Sequence, residues 1–107
     1  MWPELSKIVL HASFPIDPDR RDEALELVDD LVEQSQAEDG MIEYRATTDV
    51  QDSNVIRFFE QYEDAEAFES HTETAHFQEF EAALPDLLAG EPEVIRFDID
   101  SATELEL

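Results

Sequence analysis

A chain of 107 residues with 42% apolar residues can build one hydrophobic core and is too apolar for a disordered acidic tail, so a single domain over 1–107 is expected. Its 29 Asp and Glu against 6 Lys and Arg, a net charge of −23, exclude a nucleic-acid partner, because no basic stripe exists to release counterions. The absence of cysteine excludes disulfides, thiol catalysis and thiolate metal sites, while the start Met1-Trp2-Pro3-Glu4 lacks a basic start followed by an apolar run and no stretch approaches membrane-spanning length, so a soluble, cytoplasmic protein is expected.

The acids are scattered along the whole length and only one lysine, Lys7, is present. Such a surface repels itself in dilute buffer. In molar salt the screening length falls to about 3 Å and the repulsion nearly vanishes. The composition therefore motivates the hypothesis of a host with a salt-rich cytoplasm, of the haloarchaeal kind.

In chain order, 7–14 alternates, with Ile8, Leu10, Ala12 and Phe14 on one face and Val9, His11 and Ser13 on the other, the pattern of a strand. His11 is expected on a face that meets a partner. Asp17-Pro18 reads as an N-cap followed by proline at the first helical position. Ala24, Leu25, Leu27, Val28, Leu31 and Val32 then recur at helical spacing among acids, and Gly40 offers a left-handed stop. The stretches 41–48 and 55–62 read as strands joined through the turn residues Asp52-Ser53-Asn54, which makes a hairpin.

Asp64 can cap a short helix through Phe68 and His71, and Thr74 a second segment carrying Phe77, Phe80, Leu84, Leu87 and Leu88, with Pro85 kinking or restarting it. A last strand is expected over 93–100, and the tail 101–107 either lacks order or lies on a partner. The order β-α-β-β-α-β is that of a ferredoxin-like α+β fold with a four-stranded antiparallel sheet. With both helices on one face, the other face of the sheet is bare, and apolar residues there favour sheet-against-sheet dimerisation.

The segment Phe59-Glu60-Gln61-Tyr62-Glu63-Asp64-Ala65-Glu66-Ala67-Phe68-Glu69-Ser70-His71, followed by Thr74-Ala75-His76-Phe77, resembles the signature stretch of the antibiotic biosynthesis monooxygenase family, and Tyr44 and Asp49 extend the resemblance. The resemblance implies a homodimer forming a dimeric α+β barrel, with an apolar pocket between the sheet and helices of each subunit. It also implies oxidation of a quinol or polycyclic phenol by molecular oxygen without metal, flavin or other cofactor. A base, a dry cavity and correct orientation are the chief needs of such chemistry, because a deprotonated phenol is a far better electron donor to oxygen.

Histidine suits the base role, with an ordinary pKa of about 6.5. His71 stands at the family's recurrent histidine position and is the first candidate; a hydrogen bond to a strand or a helix cap is the plain alternative. Tyr62 and Glu60 share a strand face, Tyr62 standing where the family commonly has tryptophan, and Glu60 is expected to orient His71 or to pair with Arg57 or Arg96. Phe59, His76, Phe77 and Phe80 are the expected substrate-binding residues, with core packing as their alternative. A metal site from His71 and His76 is disfavoured, because five residues place them roughly 140° apart on a continuous helix; only a break at 72–74 would keep it open. Haem-degrading relatives of this fold are a poor match, since Glu81 stands at the expected ligand position and His71 at the expected tryptophan. Two further readings stand beside the monooxygenase: a non-catalytic quinone- or small-ligand-binding stress protein, and an isomerase or decarboxylase of an enolisable ring.

Overall fold

The computed structural model describes residues 8–107. The strands β1 (Ile8–Pro15), β2 (Met41–Thr48), β3 (Val55–Tyr62) and β4 (Glu93–Asp98) form one antiparallel sheet in the order β2-β3-β1-β4. The helix α1 (Arg21–Gln36) links β1 to β2, and α2 (Ala65–Thr72) and α3 (Ala75–Ala83) lie between β3 and β4. The fold is the ferredoxin-like α+β arrangement, with its second helical unit in two pieces. Lys7, expected to open the first strand, and the segment 1–4 lie outside the described residues.

Strand pairing settles which residues share a face. Opposite one another on β1 and β3 stand Ile8 and Tyr62, Leu10 and Glu60, Ala12 and Phe58, and Phe14 and Ile56, all on the face that the helices cover. Ala24, Val28 and Leu31 of α1 and Phe80 of α3 close over them to form the core. Phe14, Phe58 and Phe80 meet edge to face, with centroids 5.4 Å apart for Phe14 and Phe58 and 5.8 Å for Phe14 and Phe80. The alternate residues Val9, His11, Phe59, Ile95 and Phe97 share the opposite face.

Three boundaries differ from the sequence expectation, each for a local reason. Asp17 caps a single 3-10 turn, Pro18–Arg20, and the α-helix begins only at Arg21. Pro85 sits in another such turn, Leu84–Asp86, because a proline within a continuing α3 would remove a backbone donor and crowd the preceding turn. Leu87 therefore packs in the core from beyond the helix, and Leu88 bridges to Ile16. The last strand stops at Asp98, where its pairing with Ile8 ends, rather than at Asp100.

Gly40 does take the left-handed conformation, with φ of 78°, but in the turn that enters β2 rather than as the helix stop; the helix closes at Ala37. A Cβ at Gly40 would lie 2.7 Å from the Ala67 Cβ, so α2 can rest on this turn only because the residue is glycine.

Candidate functional site

Two side-chain caps make the site. Asp64 accepts a hydrogen bond from the Ala67 amide at 2.8 Å to start α2, and Thr74 accepts one from the Phe77 amide at 3.2 Å to start α3. Between them the helix breaks at Glu73 and Thr74, and this turn carries His76 round to the side of His71. Both imidazoles then reach one carboxylate, that of Glu38 in the turn after α1. Glu38 Oε2 lies 2.8 Å from His71 Nδ1 and 2.7 Å from His76 Nε2. The angular objection to a shared site held only for a continuous helix.

His71 is buried with 1% of its side chain exposed, packed against the rings of Tyr44, Tyr62 and Phe77 at 5.2, 5.7 and 5.1 Å between centroids. Its second nitrogen, Nε2, has no hydrogen-bond partner among the described residues. Burial lowers the His71 pKa below its ordinary value, while the hydrogen bond and the charge of Glu38 oppose that shift. With Nδ1 donating to the carboxylate, Nε2 is the bare, basic face of the ring.

That ring forms part of the wall of a cavity of about 270 Å³ between sheet and helices, whose other walls include Tyr44, Phe58, Phe68, Phe77 and Phe80. Glu60 lies in the same wall, buried, and its carboxylate accepts from the Tyr62 hydroxyl at 2.5 Å. Burial, partly offset by that hydrogen bond, pushes the Glu60 carboxyl up to about 7. Burial also raises the Tyr44 and Tyr62 hydroxyls above their usual range, so both remain protonated donors. Glu81, Leu84, Pro92 and Val94 also line it. The cavity thus joins apolar walls to two ionisable groups, an imidazole whose pKa burial lowers and a carboxyl that burial raises to about 7.

The sequence itself carries a relationship to known proteins. The model of the antibiotic biosynthesis monooxygenase family matches residues 7–83. The chain belongs to the antibiotic biosynthesis monooxygenase family. Within and around that family, YcnE of Bacillus subtilis, a protein that carries a monooxygenase name, is 36% identical over 92 residues, which is 86% of this chain and 97% of YcnE. Rv0793 of Mycobacterium tuberculosis superposes with a TM-score of 0.83 at 25% identity, over 92% of this chain and 100% of its own. A conserved protein of Methanosarcina mazei reaches 0.83 at 22% identity, over 89% of this chain and 94% of its own, and shows the shared fold.

Against the family's resemblance, the expected site residues divide. His71, Glu60, Phe77 and Phe80 line the cavity together. Tyr62 is fully buried behind it, bonded to Glu60 and packed on His71 and Phe68 of its wall. His76 stands beside His71 on Glu38 and is not among the lining residues. Phe59 lies on the opposite face of the sheet, since its strand neighbours Phe58 and Glu60 face the helices. Glu60 takes the Tyr62 hydroxyl, and His71 is held by Glu38 instead. Arg57 pairs with Asp49 at 3.0 Å, while Arg96 pairs with Asp98 at 2.7 Å and stacks on Phe68.

Glu38 is the residue that sequence reasoning missed. It lies 33 positions from His71 and 38 from His76, so no local spacing links them. The available signal was a carboxylate two residues before a glycine in a helix-to-strand turn. Among the described residues, Glu38, His71 and His76 are the group whose donor atoms lie within 4.8 Å of one another, a set of two imidazoles and one carboxylate of the type that suits a divalent transition ion. In this structure the carboxylate serves both rings as a hydrogen-bond acceptor.

Proposed function

We propose that this chain is a cofactor-independent monooxygenase that oxidises a quinol or related phenol with molecular oxygen, using His71 as the base. The observation that carries the reading is a buried imidazole in an apolar cavity wall, its Nδ1 bound to a carboxylate and its Nε2 unpartnered. The substrate hydroxyl gives its proton to Nε2, and the resulting phenolate passes electrons to oxygen. One oxygen atom ends on the ring and the other leaves as water, with all the electrons drawn from the ring itself. Apolar walls keep competing water away from the phenolate. Glu60, titrating near neutrality in the same wall, supplies or removes the second proton.

The cavity volume narrows the substrate. Small-molecule sites span about 300–1,000 Å³, and about 270 Å³ lies at the foot of that range, which favours a ligand of one or two rings over a larger polycycle. The same reading includes a homodimer packed sheet to sheet. It is supported by Ile95 and Phe97, 41% and 47% exposed on the face that the helices leave bare.

Oxygen uptake in multimolar KCl, measured over a panel of hydroquinones and phenols without added metal or flavin, tests the activity. Uptake well above the protein-free rate, lost in His71→Ala by a factor of about 100 or more, is the expected result. Uptake equal to the protein-free rate across the panel transfers the cavity to a non-catalytic ligand-binding role.

A further inference from the structure

Behind the wall that His71 makes for the cavity lies a second set of donor atoms. Glu38 Oε2 is 2.8 Å from His71 Nδ1 and 2.7 Å from His76 Nε2, and the donors of the three residues lie within 4.8 Å of one another. Neither Glu38 nor His76 lines the cavity, whereas His71 does, so one imidazole has the cavity on one side and this cluster on the other. Glu38 and His76 keep side-chain exposures of 12% and 14% against 1% for His71, which opens the cluster to solvent on the side away from the cavity.

We propose that Glu38, His71 Nδ1 and His76 Nε2 form a site for a divalent transition ion such as zinc, and that filling it switches off the base in the cavity wall. The donor types set the class of ion. Two imidazoles and a carboxylate suit zinc and its neighbours, while magnesium and calcium take sets of oxygen atoms. The distances put the site within reach. Bonds of about 2.0–2.2 Å at tetrahedral angles separate ligand atoms by roughly 3.3–3.6 Å, so the shared oxygen needs to retreat from each ring by less than about 1 Å. The rings belong to separate helices, α2 and α3, with 6.1 Å between their centroids, and a water or chloride completes the fourth position.

The consequence for the cavity follows from the two nitrogens of one ring. A neutral imidazole carries one hydrogen, and with Nδ1 on an ion that hydrogen sits on Nε2. The ring gains and loses nothing; its hydrogen changes nitrogen. Nε2 then faces the cavity as a donor and accepts no proton from a phenol. This second half rests on the reading of His71 as the base, and the site itself does not.

The test is a titration of the full chain with Co²⁺ in multimolar KCl, followed by visible absorption against the same solution without protein. Four-coordinate cobalt absorbs far more strongly than the six-coordinate aqueous ion. One ion per chain with the four-coordinate spectrum is expected, displaced by Zn²⁺ and retained in excess Mg²⁺ or Ca²⁺. Losing even an outer-shell partner costs about 10–100-fold in affinity, so His76→Gln and Glu38→Gln should each lower it about 100-fold or more. Glu33→Gln, at an exposed acid of α1, should leave it unchanged. No such spectrum, its survival in His76→Gln, or an equal loss in Glu33→Gln overturns the site; if Glu38→Gln does not fold, His76→Gln decides alone. Nitrogen NMR of the Zn²⁺-loaded chain should place the His71 hydrogen on Nε2, and a hydrogen left on Nδ1 overturns the link to the base. Both readouts are made without turnover, so their failure is separable from failure of the monooxygenase reading.

Discussion

At the scale of single residues, the site depends on carboxylates placed where charge is costly. Glu60 is held in the cavity wall with its carboxyl pushed up to about 7, against an ordinary value near 4.3. A carboxyl whose folded pKa lies above its unfolded one favours the fold only in its neutral form. Its contribution is therefore intact below about pH 4 and is lost as pH rises toward 7. Glu60→Gln keeps a partner for the Tyr62 hydroxyl and removes the charge. We expect it to match wild type near pH 4 and to exceed it by about 1–3 kcal/mol at pH 8, read as the difference between denaturation curves in the same KCl. A difference independent of pH would mean that Glu60 is neutral or ionised throughout. His71, by contrast, could be singled out from the sequence as a candidate, through its place after Ala67-Phe68. The carboxylate that orients it was not, because contact between Glu38 and His71 is made only when α2 docks on the turn before β2.

At the scale of elements, the turn containing Gly40 governs that docking. Its backbone carbonyl accepts from the Glu63 amide at 3.0 Å, its φ is 78°, and Ala67 of α2 leaves no space for a Cβ. Gly40→Ala is expected to cost about 1–3 kcal/mol from backbone conformation, with a further loss from the contact with Ala67. Adding Ala67→Gly should relieve the contact and leave the conformational cost, so the double variant recovers part of the lost stability. A single variant as stable as wild type in chemical denaturation would remove the turn from this role. The strands β2 and β3 and the caps Asp64 and Thr74 were legible because alternation and capping are local properties. The true start of α1, the 3-10 turn at Pro85 and the end of β4 were less so, since each depends on how neighbouring backbone pairs.

At the scale of the whole molecule, charge and the bare sheet face act together. A net charge of −23 on 107 residues opposes both folding and association of two like-charged copies, and concentrated salt relieves both. Melting and light scattering across a KCl series from dilute buffer to several molar are expected to give a melting temperature that rises with salt and, at high salt, the mass of two chains. Equal or greater stability in dilute buffer would refute the halophilic hypothesis, and a mass of one chain at every salt level the dimer. What the sequence by itself determined is the order of elements, the four-stranded α+β fold and the family, because periodicity, capping and the stretch 59–77 are written in neighbouring residues. Only the tertiary structure decided which face each β3 side chain occupies, that Phe59 turns away from the cavity, and that Glu38 joins His71 and His76. Those facts depend on strand register and on a contact spanning 33 residues, and such contacts exist only once the helices have packed on the sheet.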